Sequence, residues 1–347
     1  MRQSLIPLIV LSMLTLSSFA KAAPTSQEFI FTSAPFPSAH ASTIVELPNG
    51  DLLAAWFGGA AEGAPDTAIW ASRRTANQWS APYVLVREPN VACWNPVLFH
   101  SADGKLWLYY KFGPNARSWT GARLVSNDEA RSWSPPAHLP AGLLGPIKDK
   151  PLILDDGTIV SGTSVESYSS WAVWIDRSTD NGKTWTKIGP ITVPSQPQPS
   201  PSNQAEQVSG IIQPTIVPLG KKHLRLYARP TSDIGRICVA DSYDNGLTWT
   251  QAHPTDLPNP NSGIDAVALR DGRIVLIYNN TTKARTPLNL AVSADGEHFK
   301  IFATLEDQPG EYSYPAIIQG KAGELDMTYT WNRKRIRFAT VPLANVP

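Results

Sequence analysis

Cysteine is almost absent from this chain, charge is nearly balanced, and helix periodicity is missing. Two cysteines in 347 residues, Cys93 and Cys238, exclude a disulfide-stapled scaffold, and their spacing alone does not say whether they meet. The six histidines are scattered and no Cys/His cluster has zinc spacing, so no metal is expected and no cofactor is implied. A net charge of +1 without a basic run excludes an electrostatic nucleic-acid binder. The one long apolar run, Leu5 to Leu16, is too short to span a bilayer, so no membrane span is expected. Arg2 precedes that run and Ala20-Lys21-Ala22 follows it as an A-x-A cleavage site. Residues 1–22 therefore read as a signal peptide, and the mature chain 23–347 as secreted or periplasmic.

Tryptophan and proline are plentiful, 12 and 31 residues, and the tryptophans are periodic. Ser178-Thr-Asp-Asn-Gly-Lys-Thr-Trp185 and Ser242-Tyr-Asp-Asn-Gly-Leu-Thr-Trp249 are copies of one box. Ser126 to Trp133 matches with Ala130 in the glycine place, Ser72 to Trp79 keeps only its ends, and Ser293 to Phe299 is one residue shorter. The serines recur roughly every 50–65 residues. Asp-Asn-Gly supplies the positive-φ residues of a tight hairpin, and the tryptophan folds back as an apolar plug. A second series of turns interleaves with the boxes, at Asn49-Gly50, Asp103-Gly104, Asp156-Gly157, Gly220-Lys221, Asp271-Gly272 and Gly320 to Gly323. Each leads into an apolar strand. Six units with room for about four strands apiece predict an all-β, six-bladed β-propeller over residues 23–347.

In such a fold the innermost strands line a central axis. Aligning the units on their turns picks out one polar residue before each inner strand: His40, Asn95, Lys150, Gln213, Asp265 and Tyr314. Nearby loops carry Glu62, Asp66, Lys148, Glu166, Arg229, Arg236, Arg285, Glu311 and Tyr312. Arginine matters here because its planar guanidinium binds a carboxylate with two parallel hydrogen bonds.

The Ser-x-Asp-x-Gly-x-Thr-Trp boxes resemble the Asp-box, or BNR, repeat, and residues 27–342 resemble the sialidase (neuraminidase) superfamily. Gln213-Pro-Thr-Ile-Val followed by Arg229 is similar to the sialidase segment with a helper glutamate and a carboxylate-binding arginine. Tyr278 to Ser293, with Arg285, is similar to the segment carrying a further arginine. Tyr312-Ser-Tyr-Pro-Ala-Ile resembles the segment with the nucleophilic tyrosine. The resemblance implies a tyrosine nucleophile, an aspartate acid/base and three arginines on the substrate carboxylate. This chain departs from that pattern in three places. His40-Ala-Ser stands where sialidases have Arg-Ile-Pro, Gln213 replaces the glutamate, and only Glu62 and Asp66 offer an acid in the first loop.

Three readings follow. An exo-acting glycoside hydrolase would remove a terminal acidic sugar, with Tyr312 as nucleophile or charge stabiliser, although the repeat register favours Tyr314 and strand alternation places both on one face. Glu62 or Asp66 would donate the proton, and Arg229, Arg285 and Arg236 would bind the carboxylate. Glu166, Asp265 or Glu311 would replace the missing helper. A uronate-directed lyase or rhamnosidase-type propeller would use His40 or Tyr314 for proton transfer, with Lys150 or arginine neutralising the carboxylate. A non-catalytic glycan binder would tolerate Gln213. All three expect a carboxylate-bearing carbohydrate as partner, with Asn95, Gln213 and Asp265 lining its site.

Overall fold

The computed structural model describes residues 26–194 and 208–347; the expected signal peptide, residues 1–22, lies outside them. Strands are short and turn-bounded, and they assemble into five sheets, numbered below by the six repeat units expected from the sequence. Their innermost strands are Ser38–Glu46, Cys93–His100, Leu152–Ile153, Ser209–Pro218, Asp265–Ala268 and Tyr312–Gln319. The third and fourth units share one eight-stranded sheet only through a parallel contact, Ser170 with Ser209 and Trp171 with Gly210. Ser26–Phe29 pairs antiparallel with Arg335–Pro342, so the chain start completes the sixth unit.

Hydrogen bonds near the axis tie each unit to the next. Leu98 N–H donates to Thr43 Oγ1 (3.1 Å), Asn95 Nδ2 to Ile147 O (3.2 Å) and Gln213 N–H to Ser164 Oγ (3.4 Å). Thr215 Oγ1 donates to Asp265 Oδ1 (2.8 Å), Ile317 N–H to Asp265 Oδ2 (2.9 Å) and Ala41 N–H to Thr330 Oγ1 (3.1 Å). Apolar clusters fill the spaces between units, so the core is spread around the axis as wedges.

The boxes are scaffold. In the box opened by Ser178, the serine hydroxyl donates to Asp180 Oδ1 (2.8 Å) and accepts from Gly182 N–H (2.8 Å). Asp180 also accepts from Thr184 N–H (2.9 Å) and Thr184 Oγ1 (2.5 Å). These donors, the Thr184 hydroxyl first, hold the Asp180 carboxyl down at about 2. The boxes at Ser126, Ser242 and Ser293 repeat the arrangement. Box aromatics lean on the preceding unit in ring order, Trp185 on Tyr109 and Phe299 on Tyr227, both edge-on. The box turns also accept hydrogen bonds from arginines of the preceding unit. Arg73 binds Glu129 O, Arg123 binds Gly182 O, Arg177 binds Asn245 O and Arg225 binds Gly296 O. Gly182 must be glycine on two counts: its φ is +71°, and a Cβ there would meet Trp107 at 2.5 Å.

Cys93 and Cys238 are both free and buried, in separate apolar clusters. No helix among the described residues is long and apolar enough to cross a membrane.

Candidate active site

Four inner strands break their ladder at the same place. Pairing shifts between His40 and Thr43, Trp94 and Val97, Ile212 and Thr215, and Ser313 and Ala316. Each bulge holds a non-glycine residue with positive φ: Ala41 (55°), Asn95 (26°), Gln213 (53°) and Tyr314 (50°). A left-handed conformation costs an L-residue about 1–2 kcal/mol. Repeated around one axis, it marks a place where the backbone is bent to aim side chains inward.

The inner turns anchor the comparison of units. Leu47, Ser101, Leu154, Leu219, Leu269 and Gly320 each donate N–H to the residue four further on. Six residues before these anchors stand Ala41, Asn95, Lys148, Gln213, Gly263 and Tyr314. Three of the expected ring residues, Asn95, Gln213 and Tyr314, occupy that layer. The other three do not. His40 precedes Ala41 by one residue, while Lys150 and Asp265 follow Lys148 and Gly263 by two. The inner strands entered by Lys150 and Asp265 carry no such bulge, so a common offset from the turns does not hold across all six units.

Lys150 and Asp265 find each other. Lys150 Nζ donates to both Asp265 oxygens (3.0 and 2.8 Å) and to Ala266 O (3.0 Å). Asp265, 2% exposed, also accepts from Thr215, Ala266 and Ile317, so it is a hub between units and has no free face for a ligand. Lys148 takes the axial place instead. Its ammonium donates to Asp149 Oδ1 (2.7 Å), Ile264 O (2.6 Å) and Pro315 O (2.5 Å), linking three units. Asn95 points to the backbone at Ile147 and is likewise structural.

Cations converge on Tyr314. Arg229 Nη1 donates to the Tyr314 hydroxyl (2.6 Å) and to Gln213 Oε1 (3.1 Å), and its Nε donates to Asn261 Oδ1 (2.7 Å). Gln213 Nε2 donates to the same phenol oxygen (3.2 Å). The Arg229 and Arg285 guanidiniums lie 5.5 and 5.7 Å from the Tyr314 ring centroid. Arg285 donates to Glu311 Oε1 (2.9 Å) and to Asn261 O (3.3 Å). Arg333, in the left-handed turn after Trp331, donates through Nε to both Glu311 oxygens (2.9 and 3.0 Å) and through Nη1 to Glu62. Burial, then repulsion from Arg229 and Arg333, presses the Arg285 guanidinium below its ordinary value, although Tyr314 and Glu311 oppose this.

His40 sits against this cluster. It is 1% exposed, its ring centroid lies 4.2 Å from that of Tyr314, and neither ring nitrogen has a partner. Burial first, then Arg333, Arg285, Arg229 and Lys148, hold its pKa well below 6.5, so it is a neutral imidazole at neutral pH. A buried imidazole with two unpartnered nitrogens near four cations is an unsatisfied polar group, and such a group marks a candidate site.

Tyr312, the other tyrosine candidate, points elsewhere. The positive φ at Tyr314 breaks strand alternation, so the two rings do not share a face. The Tyr312 ring packs into an apolar cluster with residues of the fifth and sixth units, near Glu306 and Arg337, while its backbone N–H donates to Arg285 O (2.9 Å). Asp66 is a loop clasp, with both carboxylate oxygens accepting from Ala60 N–H (3.2 and 3.1 Å). Arg236 is exposed on an outer strand and donates to Asp256 O (2.9 Å), away from the cluster. Glu166 closes the third unit's second strand, and burial raises its carboxyl while Arg229 and Arg117 oppose the shift. Sequence reasoning missed Arg333 and Asn261. Both lie in turns whose only signal was an Asn-Arg or Pro-Asn pair.

The BNR repeat-like domain family matches residues 50–327. No curated protein matches the sequence. Among solved structures, a protein of unknown function from Dyadobacter fermentans superposes with TM-score 0.76 at 15% identity, covering 92% of this chain and 98% of that one. The NanB sialidase of Streptococcus pneumoniae gives 0.71 at 14% identity, covering 91% and 70%. The Trypanosoma rangeli sialidase, solved with the inhibitor DANA, gives 0.70 at 12% identity, covering 94% and 58%. These likenesses establish a shared β-propeller fold.

Proposed function

The chain belongs to the BNR repeat-like domain family, and from that premise we propose an exported, six-bladed propeller that acts as an exo-glycoside hydrolase on a terminal acidic sugar. Cleavage after residue 22 would leave the mature domain 23–347. The observation that carries the reading is the convergence of Arg229, Arg285 and Arg333 around Tyr314 and the unpartnered His40. Arg229 and Arg285 hold the sugar carboxylate, and Arg333, backed by Glu311, completes the positive wall that the absent first-strand arginine leaves open.

Cleavage at the anomeric carbon develops positive charge on the ring. The phenol oxygen of Tyr314, held by Arg229 and Gln213, supplies the facing negative charge or bonds to that carbon. Glu166 is the proton donor to the leaving oxygen, because burial keeps its carboxyl protonated more readily than an ordinary glutamate. Glu62 is occupied by Arg333. Gln213 cannot take the phenol proton, and burial among cations makes His40 a weak base for it.

Gln213 in the helper place and the unpartnered His40 beside Tyr314 favour a second reading. In a lyase acting on a uronate, His40 or Tyr314 would remove the proton beside the carboxylate while the arginines neutralise it. Wild type, Tyr314→Phe and Tyr312→Phe should be compared for sugar release from a sialylated glycoprotein and from uronate-terminated glycans. Tyr314→Phe should lower turnover by about 10²-fold or more, and Tyr312→Phe by less than about threefold. An unsaturated product would select the lyase. Equal turnover in wild type and Tyr314→Phe would overturn the site.

A further inference from the structure

We propose that Tyr168 is a stacking platform for an uncharged pyranose, the sugar next to the acidic one held at the axis; the assignment of order rests on the reading above. Tyr168 is the most exposed large hydrophobic side chain among the described residues, at 75%. It stands at the tip of the hairpin joining Ile159–Glu166 to Ser170–Ser178. The tip is nevertheless fixed. Ser167 Oγ donates to Ser170 O (2.7 Å) and accepts from Ser170 N–H (2.9 Å), and Ser167 N–H donates to the same carbonyl (3.0 Å). An exposed aromatic on a pinned turn gains little for folding, because most of its ring stays in water.

One face of the ring is already taken. The Arg117 guanidinium lies 4.8 Å from the Tyr168 centroid, on a loop of the second unit fixed by Asn115 Oδ1, which accepts from Arg117 N–H (3.0 Å). That stacking orients the phenol and leaves its opposite face to solvent.

The platform is continuous with the axial cluster. Arg117 and Arg229 both act on the Glu166 carboxyl, two residues before Tyr168. Trp171, paired across the hairpin with Glu166, lies under the Arg229 guanidinium at 5.6 Å. A path therefore runs outward from Tyr314 through Arg229 and Glu166 to Tyr168. A glycan with its acidic terminus at the arginines would pass its glycosidic oxygen by Glu166 and lay its next ring on the tyrosine. The C–H face of a pyranose suits the π-face of an aromatic ring, and Tyr adds large contact area at low entropic cost.

Ligand-observed saturation-transfer NMR with three kinds of probe separates the two sites: the methyl glycoside of N-acetylneuraminic acid, the neutral disaccharides lactose and cellobiose, and 3′-sialyllactose. Tyr168→Ala should remove transfer to the neutral disaccharides and weaken 3′-sialyllactose about three- to tenfold, as loss of one aromatic contact predicts. Tyr168→Phe should retain both. The methyl glycoside should bind Tyr168→Ala as it binds wild type, and fail with Arg229→Ala. Neutral disaccharides that receive no transfer from wild type, or equal transfer from wild type and Tyr168→Ala, overturn the platform. A methyl glycoside indifferent to Arg229→Ala strikes only the sialic-acid form of the axial reading, and the disaccharides still decide Tyr168.

Discussion

Replacing Asp265 with alanine should unfold this protein more readily and leave the ligand pocket out of the account. The carboxylate is 2% exposed and accepts from Lys150 Nζ, Thr215 Oγ1, Ala266 N–H and Ile317 N–H. After truncation the Thr215 hydroxyl can turn to Ala266 O, now 3.5 Å away, and Lys150 keeps that carbonyl and a path to solvent, its side chain being 25% exposed. Ile317 N–H has no such escape and is stranded in the core, at a cost of about 1–3 kcal/mol. Stripping one partner from a fully buried ion pair costs about 3–5 kcal/mol; partial exposure of Lys150 discounts that share, and the total comes to about 3 kcal/mol. Asp265→Asn keeps the shape and one acceptor oxygen and should lose about half as much. Urea unfolding followed by tryptophan fluorescence reads the shift in midpoint, and Lys150→Met alone should cost less than Asp265→Ala. A fully stable Asp265→Ala that fails to bind acidic glycans would refute the hub and restore Asp265 as a ligand-facing residue.

Two further outcomes follow from burial. His40 is neutral in the fold and takes up a proton near pH 6.5 once unfolded, so the unfolded state binds more protons below that pH and stability falls as pH drops. The loss sets in as pH falls through about 6.5 and is bounded at about 1.4 kcal/mol per pH unit for one such proton. Asp149, raised to about 7 by burial, works in the opposite direction over the same range, because it is protonated in the fold and ionised when unfolded. The His40 share is therefore the difference between wild type and His40→Phe, and parallel pH profiles for the two would refute it. The Cys93 and Cys238 thiols, each pushed up to about 12 first by burial, should resist a disulfide-exchange reagent in the native protein and titrate as two thiols in guanidinium. Absence of free thiol in denaturant would show a bridge.

The register of the site shows how far the linear pattern reaches. Asn95, Gln213 and Tyr314 were legible because each stands before a proline at the start of an apolar run, and the inner strands do bend there. Lys150-Pro151 carries the same signal and misleads, because the third inner strand is only Leu152–Ile153 and the axial place falls earlier, on Lys148. Tyr312 and Tyr314 could not be separated, since two-residue alternation assumes extended backbone and Tyr314 has φ of 50°.

What the chain alone determined was periodic. The boxes, the second series of turns and the strand lengths are local, set by positive-φ turn residues and by side chains within a few positions of one another, and they specify the repeated sheets and their family. The arginine cluster is not local. Arg229, Arg285, Arg333 and His40 come from different units and meet only because the sheets are arranged about a common axis. Which charges pair, which tyrosine faces them and which histidine is left without partners are consequences of bulges and burial. Those are properties of neighbours brought together in space, and only the tertiary structure decided them.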